Sequence, residues 1–270
     1  MPNQMQPQES HLTRRSMLLS GLAAACPLPA LAAGKPETQN YGAVDLDIYR
    51  AASPRGAVIY VHGGSWRRGS RKAVDAKPDW VTSMSLDFVS IDYPMLPKTP
   101  VTGQIKAVRQ AMDWCFANVA KPERTVVMGH SAGAHLVAMA ALTGWTPMPA
   151  GVIVNDSGAV DLITLARAHQ GHLPFGTASV FRDRTQWGAL SPTYNLAKSL
   201  PPLLAITSGA HGHATAMSNF VTNARANGAD ATLFDGSDYR HAEVNRTLGT
   251  GKIPDLERAI TGFVTKVFQR

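Results

Sequence analysis

Residues 125–142 read TVVMGHSAGAHLVAMAAL. An apolar run rich in β-branched residues, Thr125–Met128, meets Gly129-His130-Ser131-Ala132-Gly133 and passes at once into His135–Leu142, apolar with helical spacing. A serine on so tight a turn between strand and helix takes a strained backbone, and small residues at 129 and 133 let the two elements pack without clash. The G-x-S-x-G pattern in this context marks Ser131 as a candidate nucleophile; a strand-to-helix turn that merely caps the helix is the bland alternative.

Outward from this elbow, apolar β-branched runs at Ala57–Val61, Phe88–Ile91, Gly151–Val154, Leu203–Thr207 and Thr232–Phe234 alternate with helical patterns at Val101–Val119, Ser218–Asn227 and Leu256–Phe268. Strand followed by helix, repeated, predicts an α/β chain: a mostly parallel central sheet with helices on both faces. No internal repeat or low-complexity linker divides residues 33–270, which read as one domain. Residues 161–201, with Gly171, Pro174, Gly176, Trp187 and Pro192, break the alternation and suggest a small cap or an excursion over the strand ends. Phe175, Phe181 and Trp187 would there suit either an apolar acyl pocket or ordinary packing against the sheet.

The chain has 270 residues, of which 44% are hydrophobic and 17% charged, with 2 cysteines. That excludes a disordered tail, a fibre, a coiled coil and a disulfide-stapled miniprotein. The net charge of +7 is spread along the chain without a basic run interleaved with aromatics, so nucleic-acid binding is not expected. Residues 12–33, LTRRSMLLSGLAAACPLPALAA, carry a twin arginine, a short apolar run and Ala30-Leu31-Ala32. Residues 1–32 therefore read as a cleavable signal for the twin-arginine export machinery, placing the mature protein in the periplasm or outside the cell; lipid anchoring through Cys26 is the lesser alternative. No later stretch is long enough to span a membrane. Cys115, within a helical pattern, reads as a small buried hydrophobe.

Two further loops complete a possible site. The strand AVIYV runs into His62-Gly63-Gly64-Ser65-Trp66, where glycines allow backbone amides to turn toward a developing negative oxygen. The amides of Gly64 and Ser65, with that of Ala132 after the candidate nucleophile, would form an oxyanion hole. Trp66 and His130 are expected at the substrate pocket, His62 and His130 shaping the loops around it. His241, after the strand-like ATLF and the turn Asp235–Arg240, is the natural general base.

From His62 to the C-terminus the motifs HGGSW, DFVSIDYPMLP, GHSAGAHL, SGAVDL, the LSP of Leu190–Pro192, PPLLAITSG and His241 together resemble the α/β-hydrolase superfamily. Within it they resemble the esterase group with an HGG-x-W loop, which includes arylformamidase (kynurenine formamidase)-like enzymes and feruloyl-esterase-like carboxylesterases. The resemblance implies the α/β-hydrolase fold and a Ser-His-acid triad. It also places the acid after the strand LLAIT, where this chain reads Ser208-Gly209-Ala210-His211-Gly212-His213-Ala214-Thr215, without a carboxylate, and Gly212 stands at the family's Asp.

Three readings follow. Asp156, at the end of GVIVN, can supply the acid from the neighbouring strand end, since loops after adjacent strands converge on one site; Asp235 and Asp238 are nearer in sequence but badly disposed toward the far ring nitrogen. Ser131 and His241 can work as a dyad. Or the site is degenerate and the fold serves a non-catalytic binding protein. Asp161 is expected to cap the helix at Leu162. His211 and His213 lack a third ligand at sensible spacing, so they are expected to serve a mobile loop or to support the site from behind rather than to hold a metal, and no cofactor is expected. The expectation is thus an exported serine hydrolase acting on a small-molecule ester or amide, a carboxylic ester first and an aryl formamide as the alternative.

Overall fold

The computed structural model describes Met1 and residues 34–269; the expected leader, including Cys26, otherwise lies outside the described residues. Eight strands, β1 (Glu37–Asn40), β2 (Asp45–Tyr49), β3 (Ala57–Val61), β4 (Asp87–Ile91), β5 (Thr125–His130), β6 (Gly151–Asn155), β7 (Leu203–Ile206) and β8 (Ala231–Phe234), form one sheet. Their order is β1-β2-β4-β3-β5-β6-β7-β8. Only β1 with β2 and β2 with β4 pair antiparallel; all other pairings are parallel. The helices are α1 (Lys77–Ser83), α2 (Val101–Asn118), α3 (Ala132–Leu142), α4 (Leu162–Ala168), α5 (Phe175–Ala178), α6 (His213–Ala226), α7 (Glu243–Arg246) and α8 (Pro254–Phe268).

Burial explains the sequence pattern. β3, β4, β5 and β6 are buried along their whole length, so they read as continuous apolar runs rather than alternating ones. Their side chains still divide by the pleat. Ile59, Val61, Val127 and Val154 pack with α2, α3 and α6 on one face, while Val58, Tyr60, Val126 and Ile153 pack with α1 and α8 on the other. α3 is buried at all 11 positions, which is why it is apolar all round. α8 is amphipathic, opens on Pro254 and carries Asp255 and Glu257 in its first turn, where the helix dipole favours negative charge.

The mostly parallel sheet matches the expectation, and four departures are informative. β1 is short, polar and exposed along its length, so it gives no apolar signal. β2 does alternate, but it is a brief edge-side strand against β4. α6 starts at His213 rather than Ser218, because its first residues, HATA, carry no apolar period while the helix continues through them. Residues 161–201 hold α4, α5 and two short 3-10 turns lashed to the sheet end: Thr193 donates to the Val160 carbonyl, and the Leu162 amide to Ser191 Oγ. Asp161 caps α4 as expected, accepting from the Thr164 amide at 2.9 Å. No helix among the described residues is long and apolar enough to cross a membrane.

Candidate active site

Ser131 sits between β5 and α3 with φ 58° and ψ −120°, a left-handed backbone that a serine adopts only under constraint. The constraint is close packing. A Cβ at Gly129 would run into the Gly133 carbonyl, and one at Gly133 into the carbonyls of Val61 and His62. Only glycine lets the strand, the turn and the helix approach this closely. The Ser131 amide donates to the Asn155 carbonyl at 3.0 Å, pinning the elbow to β6.

Ser131 Oγ lies 2.9 Å from His241 Nε2, and His241 Nδ1 lies 2.6 Å from Asp156 Oδ2. Asp156 follows β6 with φ 53°, its amide bonded to the Ile206 carbonyl at 2.8 Å, so its position is fixed against β7. The carboxylate is fully buried and accepts two further bonds, from His213 Nδ1 at 2.8 Å and from the Ser208 amide at 3.2 Å. Burial alone would raise its pKa, but the bonds and charges of His213 and His241 outweigh it and hold the carboxyl well below the usual range. Asp156 is therefore ionised at neutral pH, and its contact with Nδ1 fixes the His241 tautomer that leaves Nε2 facing Ser131. Asp235 and Asp238 are exposed on their turn, where Asp235 accepts from the Ser237 amide.

His213 is the site residue that sequence reading missed as a partner of the acid. Its ring meets that of His241 edge-on at 5.3 Å. The only signal for it was its place one residue after Gly212. Its neighbour His211 instead donates to the Ala168 carbonyl at 2.9 Å and ties the loop to α4. Asp156, His213 and His241 are the one group among the described residues whose ligand atoms lie close enough to hold a metal ion, within 4.8 Å of one another. In the structure the two carboxylate oxygens of Asp156 accept from His213 Nδ1 and His241 Nδ1.

Of the expected oxyanion donors, Gly64 and Ser65 line the same space, and Ala132 is buried directly after Ser131. Gly64 has φ 125° and Ser65 φ 54°, and among the described residues neither amide donates to another group. Ala132 is the first residue of α3, where an amide has no partner within the helix. His130 is buried and donates through Nε2 to the His241 carbonyl at 2.9 Å, holding the segment that carries His241. Burial, followed by the nearby His241, pushes its pKa down to about 3. His135, on α3, accepts from Trp66 Nε1 and donates to the Leu190 carbonyl; burial lowers its pKa to about 4.

Two cavities meet at Ser131. The larger, about 540 Å³, is lined by the His62–Ser65 loop, His130 and the segment after His241; the smaller, about 260 Å³, by Trp66, Ser157–Ala159, Leu165, Pro174, Gly176 and Thr177. Trp66 thus borders the smaller cavity and His130 the larger. The three aromatics considered for an acyl pocket line neither. Phe181 and Trp187 are buried, Phe181 against Trp66 and His135, and Phe175 is 91% exposed. Phe181 and Trp187 serve packing and Phe175 faces solvent, while the excursion presents Pro174, Gly176 and Thr177 to the smaller cavity instead. Cys115 is buried in α2, and burial pushes its thiol pKa far up, so it is a core residue.

A mostly parallel sheet wrapped by helices, with an elbow serine, a histidine and a carboxylate on the loops at its strand ends, defines an α/β-hydrolase fold. The BD-FAE family model matches residues 46–216, and the chain belongs to that family. It is similar to esterase LipQ of Mycobacterium tuberculosis, 29% identical over 215 residues that cover 70% of this chain and 49% of LipQ. It is also similar to kynurenine formamidase of Danio rerio, 30% identical over 104 residues, 37% of this chain and 36% of that protein. The chain thus spans about half the length of LipQ and less of the formamidase. Among solved structures, Thermogutta terrifontis esterase 2 phosphonylated by sarin superposes with a TM-score of 0.73 at 18% identity, covering 89% of this chain and 97% of that one. An esterase/lipase from an uncultured bacterium gives 0.70 at 20% identity, covering 89% and 88%.

Proposed function

We propose that this protein is an exported serine hydrolase that cleaves carboxylic esters through an acyl-enzyme. The observation that carries the reading is the unbroken line from buried Asp156 through His241 to Ser131, with contacts of 2.6 and 2.9 Å. Ser131 Oγ attacks the acyl carbon as His241 Nε2 takes its proton. The oxygen that becomes negative is met by the amides of Gly64, Ser65 and Ala132, which are already oriented and so need no reorganisation as charge develops. His241, charged at that moment, is stabilised by Asp156 and protonates the leaving group; water then clears the acyl group by the reverse sequence. Relatives named esterase, from Mycobacterium tuberculosis and Acinetobacter venetianus, support the ester as substrate. The twin arginine Arg14-Arg15 and the Ala-x-Ala at 30–32 support export. Aryl formamide hydrolysis is the second reading, favoured by the relatives named kynurenine formamidase.

The test is single-turnover and steady-state hydrolysis of p-nitrophenyl acetate and an aryl formamide by residues 33–270, beside Ser131→Ala. A burst and turnover that vanish in the variant are expected, with the ester preferred. Higher kcat/KM on the formamide would favour the second reading. Folded wild type that shows neither burst nor turnover on either substrate would make the site a binding pocket.

A further inference from the structure

The two cavities that share Ser131 differ in charge. The smaller contains no Lys, Arg, Asp or Glu in its lining. The larger is bordered by Arg68 from the oxyanion loop and Arg246 from the end of α7, one before and one after the nucleophile in sequence. Neither guanidinium has a hydrogen-bond or ion-pair partner among the described residues. The contrast with the adjacent Arg67 is direct: Arg67 is spent on the Ser179 carbonyl at 2.9 Å, fastening the loop to the excursion. The backbone of Arg68 is nevertheless fixed, because its amide bonds to the Gly64 carbonyl at 3.1 Å, in the same turn that presents the oxyanion donors. One acid borders the larger cavity, Asp75, and it is taken by Lys77, whose buried ammonium lies 3.3 Å away. Two exposed arginines that pair with no acid among the described residues therefore line the cavity that also holds the candidate nucleophile.

We propose that the larger cavity is a subsite for an anionic group, and that the preferred substrates are esters bearing a carboxylate, phosphate or sulfate on one half and a compact apolar group on the other. This rests on the serine-hydrolase reading. A guanidinium presents paired N–H donors matched to such oxyanions. A cavity of about 540 Å³ falls within the roughly 300–1,000 Å³ typical of small-molecule sites. The apolar half then occupies the uncharged smaller cavity, so charge selects which way an ester lies across Ser131.

The test uses two matched pairs that differ in charge alone: para-acetoxybenzoate with para-acetoxybenzamide, and monomethyl glutarate with the methyl ester of glutaric monoamide. The first places the charge on the leaving group and the second on the acyl group. Each kcat/KM is divided by the same ester's rate with hydroxide. The expected result is a preference of about tenfold for the anion in at least one pair at low salt, shrinking at high salt. The double variant Arg68→Ala/Arg246→Ala should bring that ratio toward one, and Arg68→Glu/Arg246→Glu below one; using a ratio removes any general loss of activity. Neutral esters hydrolysed as well as anionic ones in both pairs would overturn the inference while leaving the serine-hydrolase reading standing. A preference that survives in the alanine variant would overturn the assignment to these arginines. Absence of turnover on all four esters would overturn both.

Discussion

The carboxyl ends of β6 and β7 are neighbours in the sheet, yet they contribute opposite things to the site. β6 ends in Asp156, whose carboxylate points at His241; the loop after β7, residues 208–213, offers no carboxylate and instead sends His213 and the Ser208 amide back to the other oxygen of Asp156. What matters to the histidine is where the carboxylate oxygen lies, and two parallel strands side by side can each deliver a group to that point. The β7 end has also lost the option. Gly212 has φ 78°, and a Cβ there would lie 3.0 Å from Ala168 and 3.1 Å from Leu165, facing α4 rather than the site. An acid at 212 in this backbone would point the wrong way.

The largest effect that tests this comparison is Asp156→Asn, expected to lower kcat on esters by about four decades, because the amide no longer enforces the tautomer or stabilises the imidazolium. A loss of tenfold or less would mean that His241 is oriented by something else. Moving the acid should fail: Asp156→Asn/Gly212→Asp is expected to stay within about tenfold of the single variant, since the new side chain meets α4 and a left-handed backbone disfavours it. Recovery to near wild-type rate would break the comparison outright.

His213 gives the next smaller effect. His213→Phe removes a donor to a buried carboxylate and should cost about tenfold in kcat, whereas His213→Asn, which keeps an N–H, should recover most of it. Equal losses in the two variants would reduce the residue to packing.

The smallest effect is on stability against pH, and it separates the histidines beside Asp156 from those that meet only carbonyls and rings. Burial keeps the folded-state pKa of His130 near 3 and of His135 near 4, while an unfolded histidine binds its proton near 6.5. The unfolded chain takes up protons that the folded one refuses. Their stabilisation is complete above about pH 6.5 and is lost as pH falls toward 4, by up to about 1.4 kcal/mol per pH unit for each group. The Asp156 carboxyl, lowered below its usual range, has the opposite window: its stabilisation is intact above about pH 4 and is lost only as pH drops further. Thermal melts from pH 7 to 4 should therefore fall steadily, and His135→Gln should flatten the slope between pH 6.5 and 4. An unchanged slope in that variant would show that His135 is not refusing a proton.

Much of this architecture was legible in the chain. The central strands and the long helices were readable because burial on both faces leaves continuous apolar runs and burial on one face leaves a helical period. Ser131 and the Gly64-Ser65 loop were legible because tight turns demand glycine at particular places. β1 was invisible, since an exposed polar strand of four residues has no periodic signal. Phe181 and Trp187 misled in one of their two readings, because an aromatic that lines a pocket and one that packs beneath it look alike in a sequence. His213 went unrecognised as a partner of the acid, because its bond to Asp156 spans 57 positions and depends on α6 starting a full turn before its apolar pattern does.

The sequence by itself determined the alternation of the central strands with the long helices, the turn chemistry at Ser131 and the fact that the β7 loop has no acid. These depend on local backbone sterics and on hydrophobic period, which are written in consecutive residues. Tertiary structure alone decided that Asp156 holds His241 and His213 together, that Gly212 faces α4, and that the cavities meeting at Ser131 differ in charge. Those outcomes depend on distances between strand ends, and such distances exist only once the sheet has brought residues 131, 156, 213 and 241 to a common edge.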